Sequence, residues 1–370
     1  MLRKAAICAA LIAGGWILAS PASVSADDSA ASIAAGGLVA RRETRIVMAK
    51  EVLRISETKV VVDYDFRNDT DKDVTTEVAF PIPPYVNNWV EQDVKTQSFS
   101  DFRLWVDGKP KKFNVEAKAF LKGREVTGIL TADHIDVASF GHFEAIPGGV
   151  GGNRMPDVDR LPRSEQRRLE SLGLVGLDPG DPSANWTVHL QYHWTQTFPA
   201  HSATHIRHEY TPAVGFQIVQ AKAFQDVFAG KDKRPRPLIQ GRPQDDEDLV
   251  MSFCPDSAFL KRAVQSTGAS NPDGGQYAYP QWVDFILTSA NTWRRPIEDF
   301  TLIVERPQPD PNEAWDQTLI SFCSPDNGKV EKIDANHFQV HLTNFVPTSE
   351  LHIGFFGVPE PAHVKPQSKK

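Results

Sequence analysis

At 370 residues the chain is long enough to bury one large core or two medium ones, so size does not limit its fold. A formal net charge of −7 argues against nucleic acid, because binding a run of phosphates needs a clustered basic surface.

Arg3 and Lys4 give a positive start, residues 7–18 an apolar run, and Val24-Ser25-Ala26 a small-residue cleavage site. These are the parts of an export signal in order, and they place the start of the mature chain near Asp27, in the periplasm. Gly14-Gly15 interrupts the apolar run, which falls short of the ~20 residues a membrane helix needs. No transmembrane segment is expected once the signal, with Cys8, has been removed.

Val60, Val62, Tyr64 and Phe66 alternate with Val61, Asp63, Asp65 and Arg67, the pattern of a half-buried strand. A turn at residues 68–71 follows. Thr76, Val78, Phe80 and Ile82 alternate again until Pro81, Pro83 and Pro84 stop the run. Phe102, Leu104 and Val106 lead into Asp107-Gly108, a hairpin signal, with Phe113 and Val115 expected on the returning strand.

From about residue 119 the pattern changes, and Val126, Ile129, Leu130, Leu169 and Leu172 repeat at helical spacing. The glycine run 148–152 neither follows a strand nor opens a helix, so it predicts a connector rather than a phosphate loop. Arg160, Arg163, Arg167 and Arg168 surround the second helix and predict a solvated face.

Strands resume at Thr187, where Val188, Leu190, Tyr192 and Trp194 oppose His189, Gln191 and His193. After a proline-rich stretch at 231–242, the acids Asp245, Asp246, Glu247 and Asp248 suggest a solvated linker, and a short helix is expected over 257–264. Four alternating runs then follow, carrying Val283 and Phe285, Phe300 and Leu302, Phe338 and Val340, and Ile353 and Phe355. The predicted class is mostly β, with two antiparallel sandwich-like lobes and a helical insertion, a β-rich α+β protein. The expected partition is a signal peptide over 1–26, an N-terminal β lobe over 27–118, the insertion over 119–185, a C-terminal β-rich lobe over 186–358, and a disordered tail over 359–370.

Cys254 and Cys323 remain in the mature chain, in the similar settings Ser252-Phe253-Cys254-Pro255 and Ser321-Phe322-Cys323-Ser324-Pro325. An oxidising compartment makes a structural disulfide their expected state. A redox pair would call for a Cys-x-x-Cys spacing or a nearby cation, and neither is visible.

Short catalytic signatures are missing, and no catalytic residue or cofactor is assigned. His189 and His193 share a strand face but sit ~13 Å apart, too far to chelate one metal ion. Extended structure puts His205 and His208 on opposite faces. These spacings leave a non-catalytic periplasmic binding or adaptor protein as the expected function. Its ligand would be an envelope protein, a glycan or a small molecule held between lobes, with Tyr192, Trp194, His208 and Tyr210 as candidate lining. The alternatives are an envelope hydrolase acting on a carbohydrate or wall polymer through paired carboxylates, and a periplasmic metal-binding protein.

Several blocks together resemble the bacterial exported family of unknown function DUF4424. They include Tyr64-Asp65-Phe66-Arg67-Asn68, Ala79-Phe80-Pro81-Ile82-Pro83, Ala119-Phe120-Leu121-Lys122-Gly123, Gln196-Thr197-Phe198-Pro199-Ala200 and His208-Glu209-Tyr210-Thr211-Pro212, with both cysteine segments. The resemblance implies the compartment and the architecture, and no reaction.

Overall fold

A computed structural model describes residues 29–34, 37–86, 101–146, 152–230, 245–267, 277–308 and 317–358. The expected export signal, most of the glycine run, the stretch 231–242 and the tail lie outside the described residues.

The strand Val60–Asn68 buries Val60, Val62, Tyr64 and Phe66 completely, as its alternation requires. It pairs antiparallel with Ile46–Ile55 on one side and Ser202–Tyr210 on the other. Arg103–Val106 extends that second side and turns through Asp107 and Gly108, whose φ of 49° and 73° fit the tight hairpin the sequence signals. Beyond Ile46–Ile55 come Ile297–Glu305, which runs parallel to it, then His337–Phe345 and the short Glu331–Lys332, completing an eight-stranded sheet.

A seven-stranded antiparallel sheet faces this one, with Thr187–Phe198 between Val74–Pro81 and Asn114–Leu121. Aromatic side chains from both sheets fill the space between them, Phe66 against Phe198 at 5.6 Å and Trp194 against His208 at 5.3 Å.

A third, five-stranded sheet contains Tyr277–Phe285, Leu351–Val358, Gln317–Phe322 and the short edge strand Val214–Phe216. Val283, Phe285, Ile353 and Phe355 on one face join the sandwich core. Ala278, Phe356 and Val358 on the other pack against the helices Ala221–Phe228, Asp246–Ser252 and Ser257–Thr267. Burial on both faces explains why Leu351–Val358 reads as a nearly unbroken apolar run.

The molecule is therefore mostly β and mostly antiparallel, with the helical insertion where the periodicity places it. The helices Thr127–Ala132 and Arg163–Ser171 bury Leu130 and Leu169, while Leu172 stays exposed. The nearby arginines hold the insertion together: Arg168 pairs with Asp133 at 2.7 Å, and Arg160 pairs with Asp157 and donates to the carbonyl of His134.

The structure differs from the sequence expectation in four places. The boundaries at 118 and 186 do not divide the sheets, since Thr187–Phe198 is central to the seven-stranded sheet and Ile297–Glu305 joins the strand Ile46–Ile55. Neither Phe113 nor Val115 lies on the returning strand of the hairpin. Pro110, which has no N–H to donate, closes the two-residue return strand Lys109–Pro110, and the chain crosses to the facing sheet. The acids at 245–248 are a helix start rather than a linker: Asp245 caps Asp246–Ser252 by accepting from the Asp248 N–H at 2.9 Å, and the other three lie in the first turn. The helix Ala221–Phe228 is additional to those expected; it is a short element held by packing of Phe224 and Val227.

Cys254 and Cys323 are bonded, with their Cα atoms 4.9 Å apart. Cys254 follows the helix Asp246–Ser252 and Cys323 follows the strand Gln317–Phe322, so the bond ties the helical layer to the edge of the five-stranded sheet.

Candidate functional site

Tyr192 and Trp194 project from one sheet of the sandwich and His208 and Tyr210 from the other, so the structure brings all four candidate residues together. Tyr192 stacks on Phe102 with centroids 3.9 Å apart, and Phe80 lies against both His208 at 4.8 Å and Tyr210 at 5.7 Å. All four are buried. Burial pushes His208 down to about 3 and raises the Tyr210 and Tyr192 hydroxyls well above their ordinary value, so this interior is uncharged near neutrality.

Tyr210 also reaches the wall of a cleft where the sandwich meets the five-stranded sheet. Pro83 and Pro84 interrupt one strand before Tyr85–Val86 pairs again with Thr187–Phe198, and Pro212 follows Ser202–Tyr210 before Val214–Phe216 joins the five-stranded sheet. Residues 82–86 and 212–216, with Tyr210, Trp282 and Asp284, enclose a cavity of about 160 Å³. Trp282 lies opposite Gly215 in the strand register, and a Cβ at Gly215 would fall 2.0 Å from its indole. Only glycine lets that ring lie flat on the backbone. The Tyr85 hydroxyl donates to the Ala138 carbonyl at 2.9 Å, fixing one wall to the helical insertion.

Asp284 is the one ionisable carboxylate of the lining, and its Oδ1 sits 2.6 Å from His352 Nδ1 on the neighbouring strand. The His352 ring stacks on Phe253, centroids 4.1 Å apart, beside the disulfide. Sequence reasoning did not assign Trp282, Asp284 or Gly215 to a site. The consecutive prolines at 83 and 84 were the available signal, because two strand breakers following a core strand mark an interruption of its pairing.

Three other histidines lie on strands in carboxylate pairs: His193 with Glu77 at 2.7 Å, His205 with Asp65 at 2.9 Å and His341 with Asp299 at 3.0 Å. His205 and His208 do face opposite ways. Among the described residues, no three His, Cys, Asp or Glu side chains converge in a way that could hold a metal ion. No described helix is long and apolar enough to cross a membrane.

The fold and the cleft define a disulfide-bonded, mostly β protein with an aromatic and proline-lined recess. The chain belongs to the family described as domain of unknown function DUF4424, whose model matches residues 26–353. No curated protein matches it. Among solved structures it is similar to a "putative nutrient binding protein" of Legionella pneumophila, with 13% identity over 90% of this chain and 70% of that chain, at a TM-score of 0.38.

Proposed function

We propose that this is a non-catalytic binding or adaptor protein of the bacterial cell envelope, exported to the periplasm, that holds its ligand in the cleft between Tyr210 and Trp282. One observation carries the reading: a concave recess lined by aromatic and proline residues with a single carboxylate, Asp284. Its volume of about 160 Å³ is roughly half the lower bound for a drug-sized ligand, so it takes one ring-sized unit rather than a whole cofactor. A sugar ring of an envelope glycan matches this chemistry, stacking an apolar face on Trp282 and giving a hydroxyl hydrogen bond to Asp284. The disulfide supports an oxidising compartment.

Hydrolysis of a glycan would need two carboxylates about 5–10 Å apart across the scissile bond. The lining supplies one, already paired with His352. A binding role is therefore the better match.

Titration with monosaccharides and soluble wall and outer-membrane oligosaccharides, followed by tryptophan fluorescence and amide NMR shifts, tests the reading. A saturable response should centre on residues 82–86 and 212–216, and should be lost in Trp282→Ala and in Gly215→Ala, which displaces the indole without removing it. Saturable binding that both variants retain would move the site elsewhere, and no response at millimolar sugar would overturn the glycan assignment.

A further inference from the structure

A second depression, sharing no lining residue with the aromatic cleft, is polar and arginine-rich. The turn over residues 41–45 joins the strands Gly37–Ala40 and Ile46–Ile55. It is pinned from below, since the Glu43 N–H donates to the Thr292 carbonyl at 2.7 Å and the Arg294 N–H to the Ile46 carbonyl at 3.0 Å. The turn is thus held by the backbone and not by its exposed side chains.

Glu43 is its buried member, 6% exposed. It takes Arg45 through both oxygens, with Nε to Oε1 at 2.8 Å and Nη2 to Oε2 at 2.6 Å, and also accepts the Arg45 N–H at 2.9 Å. Burial pushes the Glu43 carboxyl up, but these hydrogen bonds and the charges of Arg45 and Arg41 outweigh it and hold the group below its ordinary range. Glu43 is therefore an anion matched by Arg45. Arg41 and Arg42 are exposed, and neither makes an ion pair within 4 Å of any described residue. With Arg45, Thr44, Thr75, Thr76, Ala31 and the Arg45-paired Glu43 they border a space of about 420 Å³.

We infer that this depression is an oxyanion site for a phosphoryl group, held by the guanidinium groups of Arg41 and Arg42 with the Thr44 hydroxyl as an additional donor. Two planar forks and one hydroxyl offer more donors than the two oxygens of a carboxylate can use, whereas a phosphate monoester presents three acceptor oxygens. Glu43 does not repel the ligand, because its charge is satisfied by Arg45; it fixes the turn from which Arg41 and Arg42 project. The phosphoryl group could belong to a free ester or to a lipid headgroup. This site is independent of the glycan reading, and either can fail without the other.

The test uses the full mature chain and three probes at low ionic strength: inorganic phosphate and glycerol 3-phosphate by calorimetry, and phosphatidylglycerol vesicles in a phosphatidylcholine background by co-sedimentation. Affinity should drop about tenfold or more in Arg41→Ala/Arg42→Ala, and several-fold in Arg41→Lys/Arg42→Lys, which keeps charge but loses the fork. Thermal melts of both double variants should match wild type, since neither arginine makes an ion pair with a described residue. Binding of the soluble probes assigns a free ester. Binding of vesicles alone, with the same loss in the variants, assigns a headgroup. No binding of any probe, affinity unchanged by the alanine pair, or a lysine pair as tight as wild type would each overturn the assignment.

Discussion

Acid should unfold this protein partly through one imidazole. His208 is completely buried among Tyr64, Phe80, Phe102 and Trp194, and burial pushes its pKa down to about 3, against about 6.5 in an unfolded chain. Between those values the unfolded chain binds the extra proton, so stability is full above about pH 6.5 and is lost as pH falls toward 3. At pH 4.5 the cost is about 2–3 kcal/mol, roughly two pH units at 1.36 kcal/mol each. Urea unfolding of wild type and His208→Leu at pH 7.5 and 4.5 isolates the effect, because the other titrating groups cancel in the difference. His208→Leu should gain about 2–3 kcal/mol on wild type in acid, whatever it loses at neutrality. Tyr210→Phe, which removes no group titrating in this range, should keep the wild-type slope. Equal pH dependence in wild type and His208→Leu would refute the reasoning.

Breaking the Cys254–Cys323 bond, by reduction or by Cys254→Ser/Cys323→Ser, should cost about 2–4 kcal/mol for a closed loop of this length, and should loosen the helical layer first. Thermal melts with and without reductant check the size, and an unchanged melt would count against a structural role. Asp245→Ala should cost about 1 kcal/mol by removing the cap on the Asp248 N–H. Hydrogen exchange should then quicken within Asp246–Ser252 while the sandwich strands keep their protection; uniform quickening would contradict a local capping role.

Where alternation was clean, the sequence was enough. Val60 to Phe66 and Val188 to Trp194 each hide every second side chain, and both runs lie in the sheets as read. The strand Ile46–Ile55 was not legible because its register shifts between Met48 and Lys50, which breaks the two-residue period inside a strand that is otherwise buried. Sheet partners were not legible either. Nothing local to Phe300 and Leu302 says that their strand lies beside Leu53, more than 240 positions earlier in the chain. The interior aromatic cluster was found because its members sit on two recognisable strands. The cleft was missed because its wall is assembled from a proline break, a glycine under an indole and a carboxylate paired across strands, which meet only after three sheets have docked.

The parallel contact between Ile46–Ile55 and Ile297–Glu305 has a consequence for how the chain must acquire its shape. The eight-stranded sheet cannot close until the last fifth of the sequence arrives, so any shorter amino-terminal fragment presents an open, strongly apolar strand edge in Ile46–Ile55. Contacts this distant along the chain also slow folding, which lengthens the time that edge is available to other chains. Whatever escorts the polypeptide before completion must therefore protect that one strand until its neighbour from the far end is in place.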